Sequence, residues 1–170
     1  EPKFRAKQLF EWMHKKQVSS FDEMTNLSKG LREKLGKNAT LRGVEGVRRL
    51  ISQVDGTRKY LFALENDSVI ESVLMKYEHG NTVCISTQAG CRMGCRFCAS
   101  TIDGVERNLS AGEMLSQVYE IQKDCGEHIN GVVLMGSGEP LDNYENVVKF
   151  LRLINHPDGQ NMGQRHITLS

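Results

Sequence analysis

Three cysteines fall within eight residues, Cys91-Arg92-Met93-Gly94-Cys95-Arg96-Phe97-Cys98, in the spacing C-x3-C-x2-C. Thiolates this close can wrap one face of an iron–sulfur cube, with Gly90 and Gly94 letting the loop bend back. Three protein ligands on a four-iron cube leave one iron open to a small molecule, whereas an electron-transfer cluster is more often closed by a fourth cysteine. The competing reading is a zinc site completed by Cys84 or a histidine. Zinc pairs usually come as two separated C-x2-C units, and here one tight triplet stands alone. Phe97, beside the last cysteine, fits either an aromatic shield over a cluster or ordinary core packing. His14, His79, His128, His156 and His166 fit no ligand spacing and read as structural or solvent-facing.

A second candidate is Gly136-Ser137-Gly138-Glu139-Pro140, which follows the apolar run Val132–Met135. Such a run reads as a buried parallel strand. Ligand sites of α/β proteins gather at the C-terminal ends of such strands. A glycine there lets a ligand approach the backbone, and a carboxylate can accept from an ammonium group. A plain strand-ending turn would have the same composition.

The elements around these motifs follow from periodicity. Ala6, Leu9, Phe10 and Met13 recur at helical spacing and predict a helix over residues ~4–16. Ser20 with Glu23 forms a capping box ahead of a second helical stretch through Leu31 and Leu35, and Gly36–Gly46 reads as a linker. Val47–Val54, Tyr60–Leu64 and Val69–Tyr77 are β-rich runs separated by Asp55-Gly56 and Asn66-Asp67. From Thr82 onward the order is strand, helix, strand, helix, strand. Ser110 and Glu113 cap the first of these helices, with Met114, Val118, Ile121 and Cys125 on one face. Val147, Leu151 and Ile154 mark the inward face of the second, predicted from Asp142 to about Asn155. Cys125 is assigned to the core. This rhythm is that of a parallel α/β layer. Three strands cannot close a barrel and the chain stops inside a predicted strand, at Ser170, so it reads as a fragment of a longer protein.

No run approaches the ~18–20 apolar residues that a membrane helix needs, and no charged-then-apolar leader is present. An odd cysteine count of five, with three clustered, is a poor disulfide framework and points to a reducing cytoplasm. Residues 1–60 carry 14 Lys and Arg against 7 Asp and Glu, and the remainder carries 8 against 14. A basic front of this kind can attract a polyanion such as nucleic acid; an ordinary solvated helical surface is the plainer alternative.

At the cysteine loop the sequence resembles the radical S-adenosylmethionine superfamily, whose signature is C-x3-C-x-aromatic-C. Cys84-Ile-Ser-Thr-Gln-Ala-Gly-Cys91, Arg107-Asn108-Leu109, Met135-Gly-Ser-Gly-Glu-Pro140 and Arg165-His-Ile-Thr-Leu-Ser170 narrow the resemblance to the adenine-C2 methyltransferases of 23S rRNA and tRNA. Arg5-Ala-Lys-Gln8 and Phe21-Asp-Glu-Met24 are similar to that family's accessory domain, so the resemblance covers essentially the whole chain.

The resemblance implies an α/β fold: a partial (β/α) barrel over residues 79–170, preceded by a helical, RNA-binding accessory domain over 1–40 and an antiparallel β segment over 41–78. It implies a 4Fe-4S cluster on Cys91, Cys95 and Cys98, whose open iron takes the amino and carboxylate groups of S-adenosylmethionine, leading to a 5′-deoxyadenosyl radical. Gly138 and Glu139 match the binding pair for the methionine end, and Ser170 a further contact. Glu71 matches the proton acceptor and Cys84 the resolving cysteine. From the residues alone, Glu71 is one polar position in an alternating strand and Cys84 a small buried one. The methyl-carrying cysteine of the family lies beyond the later barrel strands and has no counterpart among these residues. The implied partners are 23S rRNA, tRNA and an electron donor protein such as flavodoxin, with no membrane and a monomeric chain. Arg5, Lys7, Lys15, Lys16, Lys29, Arg32 and Lys34 are candidates to track phosphates, while Phe4, Phe10 and Trp12 read as core. A zinc-stabilised RNA-binding module and a radical enzyme on a non-RNA substrate remain the alternatives.

Overall fold

The computed structural model describes residues 2–41, 43–78 and 80–170; His79 lies outside them. Its frame is a six-stranded sheet in the order β1 (Glu45–Ile51), β2 (Arg58–Ala63), β3 (Val69–Tyr77), β4 (Gly80–Cys84), β7 (Ile129–Leu134), β8 (Ile167–Leu169). The first four strands form an antiparallel meander, and β4–β7 and β7–β8 pair in parallel. The antiparallel segment is therefore continuous with the α/β layer. The Asp55-Gly56 and Asn66-Asp67 turns fall where composition places them, with Gly56 at φ +71° and Asp67 at φ +65°. A separate two-stranded ribbon pairs β5 (Gln88–Gly90) with β6 (Val105–Asn108).

Two helices cover one face of the sheet. In α3 (Ala111–Cys125) both arms of the capping box are made: Ser110 Oγ accepts from Glu113 N and Glu113 accepts from Ser110 N. Gly126, left-handed at φ +70°, ends the helix. The Met114, Leu115, Val118 and Ile121 side chains are buried with Ile70, Leu74, Val83, Val132 and Leu134 of the sheet and with Ile85 just after β4. Each fully buried side chain of this size contributes ~1.5–3 kcal/mol. The second helix, α4 (Tyr144–Ile154), starts two residues later than periodicity predicts, because Pro140–Asn143 form a 3-10 turn. Its Val147, Phe150 and Ile154 complete the core.

The front of the chain holds α1 (Lys3–His14) and α2 (Lys29–Asn38). The Ser20–Glu23 capping box is made, but it caps a 3-10 turn at Phe21–Glu23; α2 is capped by Ser28. Helix α1 docks on the α/β layer through a ring contact and an amide cluster. Phe10 lies 4.4 Å from the His14 ring and 4.6 Å from that of His156, and His14 Nδ1 meets the Tyr119 hydroxyl at 3.1 Å. The Gln17, Gln122 and Gln160 carboxamides hydrogen-bond one another in a closed triangle. Phe4 is 56% exposed rather than core, while Phe10 and Trp12 are half-buried. Among the described residues no helix is long and apolar enough to cross a membrane.

Candidate functional site

Beyond Cys84 the chain stays extended: Ile85 N donates to Val133 O at 3.0 Å and Gly136 N to Ile85 O at 3.1 Å. It then enters β5 and the cysteine loop. Gly90 makes the bend at φ +72°, where a Cβ would meet the Gly104 carbonyl oxygen at 2.1 Å, so only glycine fits. Cys91 N donates to that same carbonyl at 2.9 Å, and Cys98 N closes a turn onto Cys95 O at 3.0 Å. Cys91 is buried, Cys95 exposed and Cys98 half-buried, and all five cysteines of the chain are free thiols.

The loop after β7 packs directly on the segment after β4. A Cβ on Gly136 would fall 2.7 Å from Ile85 O, and one on Gly138, at φ +102°, 2.5 Å from Gln88 Cβ. Ser137 O accepts from Thr87 N and Gln88 N at 2.9 and 3.2 Å, and Ser137 N donates to Ser86 Oγ at 2.9 Å. Glu139 is half-buried; its Oε1 accepts from Leu141 N at 3.0 Å. Leu134 is level with Leu169 in the β7–β8 ladder, which puts exposed Ser170 at the same end. The cysteine loop, Gly138, Glu139 and Ser170 thus share the C-terminal edge of the three parallel strands.

Glu71 and Cys84 stand on the sheet face turned away from α3 and α4. Ile70, Ser72 and Leu74 are buried toward the helices, so Glu71 and Val73 alternate to the other side, and Val73 is paired with Cys84. Glu71 is exposed, with Lys59 Nζ 2.6 Å from its carboxylate. Burial pushes the Cys84 thiol up from its ordinary pKa, against an opposing pull from the Met135 backbone N–H.

The donor set suits an iron–sulfur cluster in type and number: three free thiols on one glycine-bent loop. Among the described residues no three His, Cys, Asp or Glu side chains are gathered to hold a metal ion. Cys84 and the described histidines are likewise not gathered with the triplet as zinc ligands. Phe97 is 95% exposed and so does not pack in the core. Cys125 packs against the core, as assigned.

Sequence reading missed three polar residues behind these loops. Gln88 is fully buried, Asp142 accepts from it at 2.8 Å, and Arg92 Nε lies 2.9 Å from the same Asp142 oxygen. The signal available was the polar run Ser86-Thr87-Gln88 directly after an apolar strand. Several cations proposed to track phosphates have protein partners: Lys7 pairs with Asp158, Lys29 with Glu33, Arg5 with Gln8, and Arg32 with the Asp22 carbonyl.

Comparison with known proteins gives the same picture. A family profile described as the radical SAM superfamily matches residues 85–170, and one described as the ribosomal RNA large subunit methyltransferase N-terminal domain matches residues 1–41. The chain is 59% identical over 170 residues to a probable dual-specificity RNA methyltransferase RlmN of Clostridium novyi (strain NT), covering 100% of this chain and 50% of that one. It is 54% identical over 173 aligned residues to the protein of the same name in Bacillus velezensis, covering 100% of this chain and 47% of that one. The chain spans about half the length of the curated relatives it matches. The crystal structure of a radical SAM methyltransferase from Sphaerobacter thermophilus superposes with a TM-score of 0.92 at 40% identity, over 99% of this chain and 50% of that one.

Proposed function

This chain belongs to the radical SAM superfamily, and from that premise we propose that it carries the cluster and part of the cofactor site of an RNA methyltransferase acting on adenine C2. The observation that supports this most is the packing of the Gly138–Glu139 loop against the root of the cysteine loop, Gly138 on Gln88, at one edge of the parallel strands. In this reading Cys91, Cys95 and Cys98 hold three irons of a 4Fe-4S cluster. When bound, such a cluster supplies the electron for reductive cleavage of a carbon–sulfur bond of S-adenosylmethionine.

The chain's own residues bind and orient. The Gly138 backbone, lacking a Cβ, lets the methionine end approach, and the Glu139 carboxylate accepts from its ammonium group. Ser170 adds a contact from the next strand end. Glu71, on the uncovered face with Lys59 at 2.6 Å, accepts the proton lost from the substrate carbon. Cys84, on that same face, is the thiol that releases the product from a methyl-carrying cysteine. The relatives' names support RNA as substrate, and 23S rRNA and tRNA are the proposed targets. The basic residues at the front are proposed to track phosphates. The proposed setting is a reducing cytoplasm, with a flavodoxin-like electron donor and a monomeric enzyme.

The test is an iron, sulfide and zinc assay on this chain purified without oxygen. The expected result is about four irons per chain, lost when Cys91, Cys95 and Cys98 are replaced by alanine. Stoichiometric zinc with no visible absorption would replace this reading with that of a zinc-stabilised module.

A further inference from the structure

The Gln88 side chain uses both its donors and accepts one hydrogen bond, tying together β6 and the loop after β7. Its Nε2 donates to Asn108 Oδ1 at 2.7 Å and to Asp142 Oδ2 at 2.8 Å, and its Oε1 accepts from Glu139 N at 2.8 Å. The residue is fully buried, so these bonds are made without competing water. Asp142 Oδ2 also takes the Arg92 Nε at 2.9 Å, and Arg92 directly follows Cys91. A continuous polar chain therefore runs from the cysteine loop through Arg92, Asp142 and Gln88 to the backbone N–H of Glu139. A Cβ on Gly138 would fall 2.5 Å from Gln88 Cβ and 2.8 Å from its Cγ, so the Gly138 backbone packs closely on the stem of that side chain.

We propose that Gln88 and Asp142 are positioning residues that couple the cysteine loop to the Gly138–Glu139 loop, so that closing one loop on its ligand sets the other. This rests on the functional reading above, in which the two loops hold the cluster and S-adenosylmethionine. Side chains that hydrogen-bond to ligand-bearing segments orient them without touching the reacting atoms. Coupling of this kind is reciprocal: cluster occupancy raises affinity for the cofactor, and the cofactor stabilises the loaded loop.

The test uses Arg92→Ala, Asp142→Ala and the double variant of the full chain. Gln88 stays in place, because its removal would leave buried partners unsatisfied. In the cofactor-free protein, Arg92→Ala is expected to speed hydrogen exchange at the Glu139 amide several-fold, although Arg92 makes no hydrogen bond to Glu139. In the cluster-loaded protein, each single variant is expected to weaken S-adenosylmethionine binding roughly tenfold, measured by equilibrium dialysis, with the double variant no weaker than the worse single. An unchanged Glu139 amide, singles that bind like the parent, or effects that multiply in the double variant would each overturn the coupling. A parent that takes up no iron or binds no cofactor would instead overturn the functional reading, and the exchange measurement would still decide whether the two loops are linked.

Discussion

Ser86 Oγ donates to the Glu71 backbone carbonyl across 2.7 Å and accepts from Ser137 N at 2.9 Å. One hydroxyl therefore ties β3 to the loop after β7 and fixes how far Glu71 stands from the Gly138–Glu139 segment. Behind it, the fully buried Gln117 holds Ser86 by both its N–H, at 2.9 Å, and its carbonyl, at 3.0 Å, and also takes the Ser72 hydroxyl at 2.7 Å.

Replacing that carboxamide tests how much the arrangement rests on it. Gln117→Leu leaves the Ser72 hydroxyl and both Ser86 backbone groups without partners in the core. Each such group costs ~1–3 kcal/mol, so a stability loss of at least ~2 kcal/mol is expected in urea unfolding. A loss within ~0.5 kcal/mol, the range of an ordinary surface substitution, would show that the core relaxes around the gap.

Cysteine reactivity follows from burial. The Cys84 thiol is half-buried and its pKa is raised, so little of it is thiolate near neutral pH. Under iodoacetamide, exposed Cys95 is expected to label before Cys84, and Cys84 labelling to accelerate as pH rises. Peptide mass spectrometry over time reads the order; early labelling of Cys84 would contradict its burial.

The seam between α1 and α3 carries a pH dependence. Burial, and then the nearby His156, lower the His14 pKa below 6.5. The folded protein thus keeps His14 neutral where the unfolded chain is already protonated. Stability from this group is present above 6.5 and is lost as pH falls through that value toward the folded pKa. The midpoint of thermal unfolding is expected to drop on acidification to pH ~5, and less so in His14→Gln. Equal drops in both proteins would remove His14 as the cause.

Much of this was legible in the residues. The cysteine triplet, the glycine-rich strand end and the Ser110–Glu113 box are local signals, and local hydrogen bonds enforce them. The Ser20–Glu23 box is an equally local signal, but spacing does not show that it caps a 3-10 turn and that α2 starts from Ser28. Gln88 was opaque: its side-chain partners Asn108 and Asp142 lie 20 and 54 residues away. The core reading of Phe97 fails because residue type alone does not say which way its loop turns.

Asp124, near the end of α3, binds Arg49 of β1 together with Arg58 and Tyr60 of β2. Arg49 and its companions pull the Asp124 pKa down, while burial and that carboxylate push the Tyr60 phenol up to about 12. The acid comes from the anionic two-thirds of the polypeptide and the two guanidiniums from its cationic third. The contrast seen along the sequence is thus partly cancelled in space, and an approaching phosphate backbone meets a weaker field than the first sixty residues advertise.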